Sequence, residues 1–134
     1  MSATRPTELT GRCNCGAVLF TAAGPFRPAK ACHCKTCRRQ SGHYLAATEV
    51  RRENLAVSEG GTLTWFSASD IARRGFCGTC GVHLFWDRHG SGRISILMGC
   101  IDEPTGLRLA DHIFIGEKGD YYEVADGLPH RVEY

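Results

Sequence analysis

The sequence predicts a mainly β fold of short antiparallel strands, with little helix and two metal sites. Three observations carry this. Short runs rich in β-branched and aromatic residues recur between turn signals, many of them supplied by the 16 glycines. Several of these runs alternate in period two, as in Leu63-Thr64-Trp65-Phe66-Ser67 and Arg93-Ile94-Ser95-Ile96-Leu97. Seven of the eight cysteines fall into three clusters, Cys13-x-Cys15, Cys32-x-Cys34-x-x-Cys37 and Cys77-x-x-Cys80, at metal-ligand spacing.

In chain order, strands are expected at 17–22, 44–50, 63–67, 82–86, 93–98 and 112–115. Residues 35–40 and 51–55 each allow about a turn of helix, the first ended by Gly42. Residues 121–134 contain Asp126-Gly127 and Pro129 and read as an extended arm on the body. No repeat, low-complexity segment or linker interrupts the chain. Residues 1–134 are therefore read as one domain, with a core over about 9–118 and a C-terminal arm over about 119–134. Trp65, Trp86, Phe66, Phe76 and Phe85 are expected in the core, with one of them walling a pocket beside the metal.

Composition excludes some function classes. The most apolar stretch, 94–101, is broken by Ser95 and Gly99 and falls far short of the roughly 20 residues a membrane helix needs. The N-terminal MSATRPTELT has no apolar run of the kind secretion requires, so a cytoplasmic location is expected. In that reducing setting, clustered cysteines point to metal rather than disulfides. The formal charge of +2 gives no case for nucleic acid. Seven metal-bound thiolates subtract seven charges and two Zn²⁺ restore four, leaving −1. The pairs Arg38-Arg39, Arg51-Arg52 and Arg73-Arg74 read as solvated surface.

The clusters divide into a closed site and an open one. Residues two apart on an extended segment share a face, so Cys13 with Cys15, and Cys32 with Cys34, can each grip one ion. His33 then points away from the ion its neighbours hold. Cys77-Gly78-Thr79-Cys80-Gly81 is a turn whose glycines permit positive φ and let backbone N–H groups approach sulfur. Cys13, Cys15, Cys77 and Cys80 make a four-thiolate set, the composition of a structural zinc site. Cys32, Cys34 and Cys37 leave one coordination position open, as catalytic zinc sites do. Cys100, or less readily His43 or His83, would close it. Cys100 otherwise reads as a small buried apolar residue or a free thiol. His89, His112 and His130 show no ligand spacing and are expected at the surface or in hydrogen bonds.

The chain resembles the glutathione-dependent formaldehyde-activating enzyme family, which includes centromere protein V. The resemblance rests on G-R-C-N-C-G-A-V (11–18), C-H-C-K-T-C-R-R-Q-S-G (32–42), R-G-F-C-G-T-C-G-V-H-L (74–84), H-I-F (112–114) and D-G-L-P (126–129). It departs at Asp120-Tyr121-Tyr122, where the family usually has Pro-Trp, and at Cys100, where a small non-ligand residue is expected. The resemblance implies a β-tent of small antiparallel sheets. It also implies a structural zinc at Cys13, Cys15, Cys77 and Cys80, a catalytic-type zinc at Cys32, Cys34 and Cys37, and two Zn²⁺ per chain. The implied reaction joins glutathione or a similar small thiol to formaldehyde or another small aldehyde, or runs in reverse as a carbon–sulfur lyase. Lys35, Arg38 and Arg39, beside the second cluster, are the expected contacts for the carboxylates of the thiol. A zinc-stabilised binding module is the alternative, favoured if a fourth protein ligand closes the second site. Redox sensing through Cys100 or the three-cysteine site is a third reading.

Overall fold

The computed structural model describes residues 6–134; the first five residues of the N-terminal targeting reading lie outside the described residues. The protein is mainly β, as expected. The strands are β1 Glu8–Arg12, β2 Val18–Ala23, β3 Ala29–Cys32, β4 Leu45–Arg51, β5 Leu55–Glu59, β6 Leu63–Phe66, β7 Ala72–Cys77, β8 His83–Arg88, β9 Arg93–Leu97 and β10 Leu109–Ile113. One helix, α1, spans Lys35–Ser41. Cys34 caps its start, accepting from the Cys37 N–H, and Gly42 ends it at φ 89°, a left-handed conformation that costs glycine little. The second helical expectation reduces to a single 3-10 turn, Arg52–Asn54.

The strands form two sheets. The smaller has the order β1-β2-β5, and the larger β10-β3-β4-β9-β8-β7-β6. Among the described residues, every pairing between these strands is antiparallel except β10 with β3. The core lies between the sheets. Leu9, Val18, Phe20 and Ala22 point inward from the small sheet; Val50, Phe85, Ile94 and Ile96 meet them from the large one. The Phe20 and Phe85 rings sit edge to face across the interface, 5.5 Å apart. Aromatic contacts of this kind add about 1 kcal/mol to what burial supplies. Gly75 on β7 leaves room for Trp65, whose nearest ring atom would lie 2.9 Å from a Cβ there.

Pleating sends alternate residues to the other face of the large sheet. There Lys30 pairs with Ala47 and Cys32 with Leu45, Trp86 with Ser95, and Ala72 with Arg88 and Arg74 with Trp86. That face carries the cysteines of the second cluster at one end. The C-terminal residues are tied beside β10 by backbone bonds, among them His112 N–H to Pro129 O (2.9 Å) and Phe114 N–H to Glu133 O (2.9 Å). Among the described residues, no helix is long and apolar enough to cross a membrane.

Candidate metal centres and the cavity they face

The Cys13, Cys15, Cys77 and Cys80 sulfurs all lie within 4.8 Å of one another. Cys13 Sγ is 3.6 Å from Cys15 Sγ, which is 3.8 Å from Cys77 Sγ. A tetrahedron of sulfurs at roughly 2.3 Å from zinc has edges of about 3.8 Å. The spacing therefore fits one such ion. Cys13 and Cys15 sit in the bend between β1 and β2, and not on a strand as the C-x-C spacing suggested. The bend is closed by Cys13 N–H to Val18 O (3.0 Å) and Gly16 N–H to Cys13 O (3.3 Å).

On the other side, Cys77–Gly81 forms the expected turn, but its two glycines serve different ends. Gly81 takes φ 80°. Gly78 does not need a positive φ; a Cβ there would meet Thr64 Oγ1 at 2.9 Å, because its N–H is drawn onto Thr62 O at 2.7 Å. Backbone N–H groups reach the sulfurs directly. The Val18 N–H donates to Cys13 Sγ at 3.3 Å. The backbones of Cys15 and Val82 draw Cys80 down to about 6, and those of Cys80 and Thr79 lower Cys77.

The second cluster is built by the end of β3 and the start of α1. Cys32 ends the strand, Cys34 caps the helix in extended conformation, and Cys37 is carried back to them by the first helical turn. Their three sulfurs lie within 4.8 Å of one another. The Cys32 and Cys37 thiols hold Cys34 far below the usual thiol range. The same contact with Cys34, reinforced by Cys37 and by burial, pushes Cys32 far above it. Sulfurs this crowded cannot all ionise unless a cation joins them. Arg74 on β7, 7 % exposed, lays both terminal nitrogens against Cys37 Sγ at 3.6 and 3.7 Å. It partly balances the thiolate charge from behind.

His33 points away from these sulfurs, as expected. It is fully buried and bonded to the Tyr122 hydroxyl and, at 2.8 Å, to His112 Nδ1. His112 Nε2 meets Asp126 Oδ2 at 2.8 Å. Burial, and then His112, lower His33 to about 4, so the ring is neutral near pH 7. This network fixes the back of the Cys32–Cys34 segment. It places H-I-F and D-G-L-P in one contact set with Tyr122, from the departing D-Y-Y segment. Sequence reasoning did not join them because they are separated by many residues and meet only through the tail.

All three cysteines of the second cluster line a cavity of about 470 Å³ on the free face of the large sheet. Of the five aromatics expected in the core, Trp86 walls this cavity, Phe85 is core, and Phe66 is exposed, contrary to expectation. Phe114 also lines it and is the one non-glycine residue with positive φ among the described residues, at 56°. A left-handed side-chain residue costs on the order of 1 kcal/mol. Five basic side chains, Arg27, Lys30, Arg74, Arg88 and Arg93, face one acid, Glu49. Lys35, Arg38 and Arg39 are not among the residues that line this cavity. On α1 only Cys37 is buried, and Thr36 and Cys37 are the helix residues that line the cavity. Burial raises the Tyr122 hydroxyl, and Arg38 draws it partly back.

None of Cys100, His43 and His83 joins the three-sulfur set. Cys100 is buried and donates to His83 O at 3.2 Å. Burial, with Cys13 and Cys80 nearby, pushes its thiol up to about 11. It thus faces the four-cysteine site rather than the open one. His83 Nε2 bonds Phe85 O at 3.1 Å, and His43 Nδ1 bonds the Tyr121 hydroxyl at 2.5 Å. Cys100→Ser is accordingly expected to keep the metal content of the wild type, measured as metal per chain after gel filtration. Loss of one ion would place Cys100 among the ligands.

The comparisons agree with this geometry. The family model for the glutathione-dependent formaldehyde-activating enzyme matches residues 8–117. An uncharacterized lyase of Schizosaccharomyces pombe is 31% identical over 121 residues, covering 89% of this chain and 87% of its own. A crystal structure of a Rhodobacter sphaeroides protein superposes with a TM-score of 0.61 at 28% identity, over 70% of this chain and 88% of its own.

Proposed function

Because the chain belongs to the glutathione-dependent formaldehyde-activating enzyme family, we propose that it is a zinc-dependent carbon–sulfur lyase-type enzyme. It joins glutathione or a similar small thiol to formaldehyde or another small aldehyde, or cleaves the adduct. The family and the lyase-named relative support a formaldehyde-activating, lyase-type activity. The observation that carries the finer reading is the second cluster: three sulfurs, no fourth protein ligand among the described residues, and a cavity in front of them.

Cys13, Cys15, Cys77 and Cys80 hold the structural ion in this reading, and Cys32, Cys34 and Cys37 hold the reactive one. When bound there, zinc offers an open cationic position that favours a thiolate at neutral pH and polarises an aldehyde oxygen. In the condensation a sulfur–carbon bond forms, the carbonyl π bond breaks, and the thiol proton ends on the former aldehyde oxygen. The residues of the chain prepare that step. Arg74 restrains Cys37 and offsets its charge. The basic excess along the cavity favours a thiol that carries carboxylates. Trp86 and Leu45 give the cavity apolar wall.

Cobalt substitution tests the reading. Glutathione and other small thiols, titrated into the cobalt-loaded protein, are expected to raise sulfur-to-cobalt absorption at one of two sites. The same samples should consume formaldehyde. A spectrum that no thiol alters would remove the enzyme reading and favour a module in which both ions are structural.

A further inference from the structure

The cavity has a second cluster of charges at the end remote from the cysteines. Leu45, Ala47 and Glu49 alternate along β4 on the cavity side, and Leu45 pairs with Cys32. Four residues of strand set Glu49 about 13 Å further along. Glu49 Oε2 lies 3.4 Å from Arg27 Nη1, and its Oε1 lies 2.5 Å from Arg93 Nε. Arg27 also donates Nη2 to Ala47 O at 3.0 Å, while its buried Nε has no partner. The terminal nitrogens of Arg93 bond no described residue.

We infer that Arg27, Glu49 and Arg93 form a specificity subsite for the zwitterionic amino-acid head of a peptide-like thiol. The inference rests on the thiol reading above and names which part of the thiol the protein recognises.

The charge balance selects the ligand. Two guanidinium groups share one carboxylate, so one positive charge is left over. Each oxygen of Glu49 takes one contact, short to Arg93 and long to Arg27, and keeps capacity for a further donor. A lone carboxylate would suit the arginines but meet Glu49. A lone ammonium would suit Glu49 but meet the arginines. A head with both groups on one carbon satisfies all three side chains, with charge-assisted hydrogen bonds in each direction. Reach agrees. In a tripeptide whose middle residue carries the thiol, the amino-acid head lies roughly 8 Å from the sulfur, and the lengths of the cysteine, Glu49 and arginine side chains take up the remaining distance. A two-carbon thiol cannot span that distance. The ion pairs also tie β4 to β9 and to the segment before β3. A purely structural lock, however, leaves unexplained the buried Arg27 Nε without a partner and the free fork of Arg93 beside a cavity.

The test compares ligands that differ by one group. Cobalt-loaded protein is titrated with glutathione, with glutaryl-cysteinylglycine, which lacks only the amino group, and with 4-aminobutyryl-cysteinylglycine, which lacks only the head carboxylate. Dissociation constants are read from the sulfur-to-cobalt band. Each analogue is expected to bind wild type about 10-fold or more weakly, the range for losing one charged hydrogen-bonding group. In Glu49→Gln the penalty for the missing amine should vanish. In Arg93→Gln the penalty for the missing carboxylate should vanish. The wild-type ligand series decides the matter even if a variant folds poorly. Binding of all three thiols within twofold overturns the subsite while leaving the thiol site intact, as do penalties that persist in both variants. A cobalt spectrum that no thiol changes removes the thiol reading itself.

Discussion

Cys77→Ser or Cys13→Ser is expected to lower the melting temperature by about 10 °C or more, and Cys34→Ser by only a few degrees. The difference lies in what each set of sulfurs joins. Cys15 and Cys77 are 62 residues apart, and their contact links the β1–β2 bend of the small sheet to the β7–β8 turn of the large one. Cys32, Cys34 and Cys37 span a single turn. A loop about ten times longer gains roughly 2 kcal/mol more from being closed. Metal bound only by the folded state adds several kcal/mol on top. Cys13 and Cys77 are also almost fully buried, so a serine hydroxyl would lose its water without gaining a ligand bond. Thermal melts of the three variants with metal present decide the point. Equal shifts, or the largest shift in Cys34→Ser, would reverse the proposed division between structural and reactive sites.

Cys34→Ser is expected to cost thiol–aldehyde condensation about 10³-fold or more in kcat/KM. The figure follows from losing several kcal/mol of charge stabilisation at the open position, at one factor of ten per 1.36 kcal/mol. This position separates chemistry from folding. Cys34 caps α1 by accepting the Cys37 N–H at 3.3 Å. Serine is among the best residues at a helix start, so the cap survives while the soft ligand is lost. Circular dichroism should remain that of the wild type, and metal analysis should show about one ion fewer per chain. A variant that keeps more than a tenth of the activity would move the reaction away from these cysteines.

Both predictions depend on features that were legible at different levels. The strands with alternating patterns, such as β6 and β9, were visible because one face is buried and the other is wet or lines a cavity. Four strands were not. Glu8–Arg12 is short and contains glycine, and Ala29–Cys32 has only small apolar residues. Leu55–Glu59 is mostly exposed and is held by its ladder to β2. Ala72–Cys77 carries two arginines, which in isolation argue for surface. Arg74 is nonetheless buried, because Cys37 receives its terminal nitrogens.

The cysteine spacing by itself determined the grouping of the sulfurs within each cluster. Ligands only a few residues apart, as in Cys32, Cys34 and Cys37, are brought to one point by a single turn, whereas Cys13 and Cys15 meet Cys77 and Cys80 only through the tertiary fold. The sequence also determined α1 and its end at Gly42, because a seven-residue helix is bounded by local signals. Tertiary structure alone decided which charges face the open cluster. Lys35, Arg38 and Arg39 are near it in sequence, but of the α1 residues only Thr36 and Cys37 line the cavity, because a helix sends successive side chains about 100° apart and only part of it faces the sheet. Arg27, Lys30, Arg74, Arg88 and Arg93 come from four strands and the segment before β3. They share a face because antiparallel register aligns their pleats. The fate of Cys100 was decided the same way. Its thiol follows β9 toward the four-cysteine site, a direction set by how β9 packs between β4 and β8 and absent from any local pattern.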